Sequence, residues 1–426
     1  MNFKISNIFK GDKVIWMVFF FLCMVSIVEV FSASSQQTYR SQNYIGPIVF
    51  HAGTIIAGFA VALVMPLIPC RYFKLMIVPL LFLSALLLIV VLVGGETING
   101  ANRSLNIIGL SFQPSELAKG TVVLATAQVL AVMQREDRAD FKAFKYIMFY
   151  TVGICILIGL ENLSTAMLLF FVVALMMIIG RVPWRQLFRL FALCASLGVA
   201  VLTFVMVAGH QEEPAMESKA KTEKVEAPRK KNFADKILHR ADTWKGRILS
   251  FNKPDVAPKD FDIQGKDAQV AHANIAIATS NIIGIGPGKS VERDYLPQAY
   301  SDFIFAIIIE ELGLFGAIGV IFLYTVLLYR GIRIANRCEN YFPAFLVMGL
   351  TLLLVVQAIA NMAVAVGLGP VTGQPLPLVS KGGSSTVINC AYIGVILSVS
   401  RTAKIKKDKN VDKKMQREFG NDEIKL

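Results

Sequence analysis

Apolar residues fall along this chain in long blocks separated by short polar connections, and the block lengths suggest the architecture before any motif is read. An α-helix needs about 20 apolar residues to cross the hydrocarbon of a bilayer. Ten blocks approach or exceed that length: Val14 to Phe31, Gly46 to Ile68, Leu75 to Val93, Ser115 to Met133, Tyr146 to Leu160, Leu163 to Gly180, Leu187 to Val207, Phe303 to Tyr329, Ala344 to Val366 and Ser384 to Val399. The pattern predicts an all-α polytopic membrane protein with ten transmembrane helices. The first block lacks a small-residue cleavage pattern and is followed by further spans, so it reads as a retained helix rather than a signal peptide.

Charge placement orients the spans. Lys and Arg concentrate in alternate connections: Lys4, Lys10 and Lys13; Arg71 and Lys74; Arg135, Arg138, Lys142 and Lys145; Arg181, Arg185 and Arg189; Arg330, Arg333 and Arg337; then the tail from Arg401. The opposite short connections carry only Arg40, Arg103 and Lys381. By the positive-inside rule both termini are cytoplasmic. The expected organisation is a cytoplasmic N-terminus over 1–13, helices 1 to 7 over 14–208, a large extracytoplasmic loop over 209–301, helices 8 to 10 over 302–400 and a basic tail over 401–426.

Composition changes the picture little: 55% of the residues are hydrophobic and 17% charged. A formal net charge of +13 would suit nucleic acid, but much of it lies in cytoplasmic connections and a Lys-rich tail beside an anionic leaflet. The expected partner is the membrane, with no nucleic acid. The six cysteines form no Cys-x-x-Cys pair and the four histidines are scattered. Neither a disulfide framework nor a metal held by protein ligands alone is expected.

The long loop has two characters. Gln211 to Lys231 is rich in Glu, Lys, Ala and Pro and reads as a mobile tether. Ile237, Leu238, Ala241, Trp244, Ile248 and Leu249 then recur at helical spacing with Arg240, Lys245 and Arg247 among them, as in an amphipathic helix lying on a membrane. Its cations either snorkel as anchors or recognise an anion. A second helix is expected from Asp267 to Gly284. Gly286-Pro287-Gly288-Lys289-Ser290 resembles the end of a phosphate-binding loop, but Ile283 stands where the first glycine is required, and the segment reads as a turn.

Three clusters carry candidate chemistry. From Leu296 to Ala306 a polar loop becomes an apolar helix with Asp302 at the join. A carboxylate there, on a helix first turn, can meet a water-soluble and a lipid-linked group together. The alternative is a plain N-cap, worth about 1 kcal/mol. In Gln113-Pro114-Ser115-Glu116-Leu117-Ala118-Lys119, Pro114 suits the first helical position, and Glu116 and Lys119 share a face. Such a pair inside a membrane faces a wet cavity or locks two helices. Gly367 to Ser385 is dense in Gly and Pro, which requires shelter by protein or a cavity lining. Its closing Ser380-Lys381-Gly382-Gly383-Ser384-Ser385 offers donors at a helix N-terminus to an anionic head group, unless it is only a re-entrant turn.

Together these residues resemble the SEDS family of cell-wall glycan polymerases, the group containing FtsW and RodA. The carriers are Asn99-Gly100 with Arg103, Gln113 to Lys119, Leu296-Pro297 through Asp302-Phe303, Glu310-Glu311-Leu312-Gly313, and Thr372-Gly373 to Ser385. Two departures stand out: Glu161-Asn162-Leu163-Ser164-Thr165 where many relatives have Pro-Asp-Leu-Gly-Thr, and Lys381 in place of an aromatic. The pattern is closer to the division branch than to the elongation branch.

The resemblance implies polymerisation of lipid II, with undecaprenyl diphosphate leaving. Asp302 would be the general base, and Arg103, Lys119, Arg240 and Arg247 candidates to stabilise the departing diphosphate. Glu116, Ser380, Gly382, Gly383, Ser384 and Ser385 complete the expected substrate site. No tightly bound cofactor is expected, though a divalent cation, Mg2+ or Mn2+, fits the substrate's diphosphate. Glu310 and Glu311 would lie on one helix about 12 Å or more from Asp302, beyond glycosidase-like carboxylate separations. A single-base, inverting transfer is expected. The implied partners are a class B penicillin-binding protein (a transpeptidase) and other division proteins, and the implied place is the bacterial inner membrane at the septum. A lipid II flippase, a RodA-like elongation polymerase and a scaffold for division proteins are the rival readings.

Overall fold

The computed structural model describes residues 9–33, 46–94, 96–98, 101–107, 110–135, 138–208, 268–296 and 299–420. The expected tether and the amphipathic helix carrying Arg240 and Arg247 lie outside the described residues. Twelve helices are described: α1 Lys13–Ala33, α2 Gly46–Val64, α3 Cys70–Leu75, α4 Ile77–Gly94, α5 Pro114–Val132, α6 Phe141–Glu161, α7 Leu163–Ile179, α8 Trp184–Ala208, α9 Ala268–Thr279, α10 Ile304–Ala335, α11 Tyr341–Ala365 and α12 Gly383–Gly420. Eight helices among the described residues are long and apolar enough to cross a membrane. Helix α7, at 17 residues, is a shorter apolar helix. Large apolar side chains such as Phe82, Val93 and Phe149 point outward, as a lipid-facing surface requires.

Local chemistry sets the helix ends. Pro114 opens α5, where its missing N–H costs nothing. Asp140 caps α6 by accepting from Lys142 N at 3.0 Å. Asn162 ends α6 and caps α7 in one residue, its Oδ1 accepting from Ser164 N at 3.1 Å and Thr165 N at 3.4 Å.

Two expectations need correction. The fold is mostly helical rather than all-α: β1 Glu96–Ile98, β2 Ala101–Ile107 and β3 Leu110–Phe112 form a small antiparallel sheet in the order β1-β2-β3. The chain between α4 and α5 doubles back twice, and strand pairing satisfies its backbone. The helix expected from Asp267 to Gly284 ends at Thr279, because Ser280 turns its hydroxyl back to Ile277 C=O at 2.7 Å and the chain enters a turn.

Helix α10 is broken inside. Gly313 has φ +67°, a left-handed conformation that only glycine adopts readily, so Glu310 and Glu311 lose their helical carbonyl partners. The turn after α9 fills the gap: Ile285 N donates to Glu310 C=O at 3.0 Å and Gly286 N to Glu311 C=O at 2.9 Å. A Cβ on Gly313 would stand 2.4 Å from Gly284 N and Ile282 O, so the turn fits only against bare backbone. Helix α11 packs against α5, α7, α10 and α12.

Candidate functional site

Asp302 lies in a turn before α10, and the cap position belongs to Phe303, which makes no side-chain cap bond. The expected helix first turn and the plain N-cap are both corrected. Three successive carbonyls explain the delay: Tyr300 C=O accepts from Lys381 N at 2.9 Å, Ser301 C=O from Ser380 Oγ at 2.6 Å and Asp302 C=O from Asn361 Nδ2 at 2.8 Å. Helical bonding resumes at Phe303 C=O, which accepts from Ala306 N at 3.0 Å. The Asp302 side chain is half-buried, and its Oδ1 accepts from Ser301 Oγ at 3.1 Å.

The segment between α11 and α12 has no regular structure, and side chains from several helices grip it. Asn361 Nδ2 donates to Gln374 C=O at 2.7 Å and Gln357 Nε2 to Pro375 C=O at 3.1 Å, both from α11. Tyr324 of α10 donates to Pro377 C=O, and Ser26 of α1 to Val379 C=O at 2.7 Å. Gln374 Nε2 reaches Thr165 Oγ1 of α7 at 2.7 Å. Residues Gln374, Leu376, Leu378, Val379 and Ser380 are buried, so protein shelters this irregular backbone. Leu378 has φ +67°, a strained conformation for a branched side chain, which such a grip can hold.

Glu116 and Lys119 pair at 2.8 Å within α5, and Lys119 is fully buried. Its ammonium also donates to Gln357 Oε1 at 2.6 Å. Tyr392 of α12 donates to Glu116 C=O. The pair thus joins α5, α11 and α12, and Lys119 reaches the gripped segment through Gln357.

At the N-terminus of α12, Ser384 Oγ accepts from Gln113 N at 2.9 Å, and a Cβ on Gly383 would meet Ser111 of β3 at 3.3 Å. Gly382 and Gly383 are partly exposed, Ser380 and Ser385 buried. Arg103 lies on β2, which pairs with β3. The Lys381 ammonium sits 4.8 Å from the Tyr300 ring centroid, and burial pushes it below the usual lysine range. The Asp302 turn and the stretch from Ser380 are therefore neighbours, and Glu116 and Lys119 connect to that segment through Gln357.

The Gly286–Ser290 turn meets protein carboxylates. Gly288 N donates to Glu311 Oε2 at 2.9 Å and Ser290 N to Glu311 Oε1 at 3.2 Å. Ser290 Oγ donates to Glu310 Oε2 at 2.5 Å and Val291 N to Glu310 Oε1 at 2.9 Å. The turn's donors, which would face phosphate in a nucleotide site, are here turned to two buried acids. Among the described residues no three His, Cys, Asp or Glu side chains cluster as a metal site.

Sequence reasoning missed Gln357, Asn361, Tyr324 and Ser26. The available signal was two carboxamides four residues apart in the apolar helix α11, since a buried amide in a membrane span needs specific partners.

The family model described as "Cell cycle protein", of FtsW, RodA and SpoVE, matches residues 12–405. A relative from Geobacter metallireducens, named probable peptidoglycan glycosyltransferase FtsW, is 28% identical over 95% of this chain and 99% of its own. One of the same name from Halomonas elongata is 30% identical over 89% of this chain and 87% of its own. Among solved structures, a chain from a peptidoglycan synthase complex that coordinates polymerisation and crosslinking superposes with TM-score 0.68 at 25% identity, covering 92% of this chain and 98% of that one. The rod shape determining protein RodA of Thermus thermophilus superposes with TM-score 0.60 at 23% identity, covering 93% and 98%, and speaks for the fold alone.

Proposed function

This chain belongs to the FtsW/RodA/SpoVE family of cell cycle proteins, and from that membership we propose that it is a peptidoglycan glycosyltransferase that polymerises lipid II. A sugar hydroxyl of one lipid-linked disaccharide attacks the anomeric carbon of another. The new glycosidic bond forms as the bond to undecaprenyl diphosphate breaks, with inversion. Asp302 takes the hydroxyl proton as general base. The observation that carries the reading is the Asp302 turn, whose backbone is tied at three successive carbonyls while the carboxylate stays partly exposed.

A single base is supported by the fate of the other acids: Glu310 and Glu311 are buried and committed to the 288–292 turn. Diphosphate is already a good leaving group, so the chain has to stabilise negative charge rather than donate a proton. Arg103, Arg240 and Arg247 are assigned that task, with the partly exposed Gly382, Gly383 and Ser384 holding the head group and the buried Ser380 and Ser385 supporting that turn from within rather than touching substrate. Lys119 and Glu116, expected to meet the substrate, are instead buried against each other, and Lys119 contributes only through Gln357. Carboxylate and carbonyl oxygens suit a hard cation, so Mg2+ or Mn2+ entering with the diphosphate would meet compatible donors near Asp302.

The proposal includes ten spans with cytoplasmic termini, a large outward loop between the seventh and eighth, and action at the septum with a class B penicillin-binding protein as transpeptidase partner. Relatives bearing the FtsW name support the division role. The test is glycan polymerisation from purified lipid II by this protein with its transpeptidase partner. Asp302→Asn is expected to lower the rate at least ~100-fold while folding and partner binding are kept. Full activity in that variant would remove the base, and inactivity of the native protein where a known family member works would favour a carrier or scaffold.

A further inference from the structure

Asn361 is 1% exposed in the middle of the site, and both of its amide hydrogens are spent on main-chain carbonyls. One belongs to Asp302 at 2.8 Å, the other to Gln374 at 2.7 Å. An oxygen in the place of Nδ2 would face two carbonyl oxygens, so the amide has a single workable orientation and an isosteric carboxylate cannot replace it. Gln357 stands one helical turn earlier on the same face and grips the next carbonyl, Pro375 C=O, at 3.1 Å. Successive turns of α11 thus hold successive carbonyls of the irregular segment. Of these two carboxamides, Asn361 alone also holds the Asp302 turn, at the carbonyl next to the one that Ser380 Oγ holds.

We propose that Asn361 is a positioning residue for catalysis: its carboxamide sets the Asp302 carboxylate relative to the segment carrying Ser380, Gly382 and Gly383. The inference rests on the reading of Asp302 as the base. Neither acceptor belongs to helical packing. α10 and α11 already pack on one another, and the two bonds go instead to the two non-helical segments that build the site. Gln357 is the second anchor, and it carries the Glu116–Lys119 pair into the same array through the 2.6 Å bond from Lys119. The acid–base pair in α5 therefore acts on the reaction through placement of the 374–380 backbone.

The experiment uses the full chain with its transpeptidase partner and purified lipid II, comparing native protein, Asn361→Ala, Asp302→Glu and the double variant. Loss of positioning predicts that Asn361→Ala lowers kcat about 10- to 100-fold, the cost of a misplaced reacting group, with KM within about twofold of native. In the Asp302→Glu background, where placement is already disturbed, the same change is expected to cost no more than about threefold. A raised KM with unchanged kcat, or equal losses in both backgrounds, would overturn the inference. Should Asn361→Ala fail to fold, Gln357→Met carries the same test one turn away, with a fall in kcat at constant KM again expected and an effect confined to KM against it. Full activity of Asp302→Asn would defeat the base itself, an outcome distinct from equal losses with Asp302 still required.

Discussion

At the scale of the residue, Asp302 shows how a side chain's role depends on the backbone beneath it. Its place at the join of loop and helix was legible in the sequence. Its release from the helix was not, because the groups that capture the carbonyls of Tyr300, Ser301 and Asp302 lie 59 to about 80 residues further along the chain. The Glu116–Lys119 pair was legible from spacing, but its outlet to Gln357, across a gap of 238 residues, was not. Removing one member of a buried pair strands the other charge, so Lys119→Met is expected to cost about 3–5 kcal/mol. Thermal unfolding should show a smaller loss for the double change Glu116→Gln with Lys119→Met, and an equal loss would argue against the pair as described.

Lys381 gives a pH signature. Burial lowers its folded value beneath the ordinary 10.5, so between the two values the unfolded chain binds more protons than the folded one. Stability from this group therefore rises with pH across that window, and below it the cost of burying the charge is present in full. Relative to Lys381→Met, native protein should gain melting temperature on going up through the window. Parallel curves for the two would remove the effect.

Among elements, the long apolar helices were the most legible, since their lengths follow from hydrophobic blocks. The three short strands escaped, because strands of three to seven residues carry too little periodicity to announce themselves. The break in α10 was also hidden inside one apolar run, although Glu310-Glu311-Leu312-Gly313 marked the place. Gly313→Ala forces a Cβ into the inserted turn at a positive φ, with an expected cost on the order of 3 kcal/mol and new proteolytic sensitivity between Ser280 and Arg293. Gly319→Ala, six residues on with nothing within 4 Å of the added carbon, serves as control and should be neutral or gain up to ~1 kcal/mol. Asn162 supports two helices, so Asn162→Ala is expected to cost about 1 kcal/mol or more, read by denaturant or thermal unfolding.

For the whole molecule, distant parts of the chain converge at both ends of the helices. Away from the Asp302 turn, Asp12 caps α1 by accepting from Val14 N at 2.9 Å, pairs with Arg330 of α10 and donates its main-chain N–H to Ser400 Oγ of α12 at 2.9 Å. Near the other end, Ser26, Tyr324, Gln357, Asn361 and Thr165 bring α1, α10, α11 and α7 onto one segment. The class of fold could be read from the blocks alone. This convergence could not, since it depends on single polar atoms in otherwise apolar helices.

That segment is gripped by its main-chain oxygens, which every amino acid carries. The helices hold the lock, while a letter of the segment whose side chain is not packed inside, such as Pro375, is free to change. Variation among natural or selected sequences should therefore be tolerated more readily at the partly exposed Pro375 than at Ser26, Tyr324, Gln357 and Asn361, which supply the donors. Inhibitors that lean on the segment's side chains would invite escape by substitution, whereas those competing for its helical donors would leave the protein few ways out.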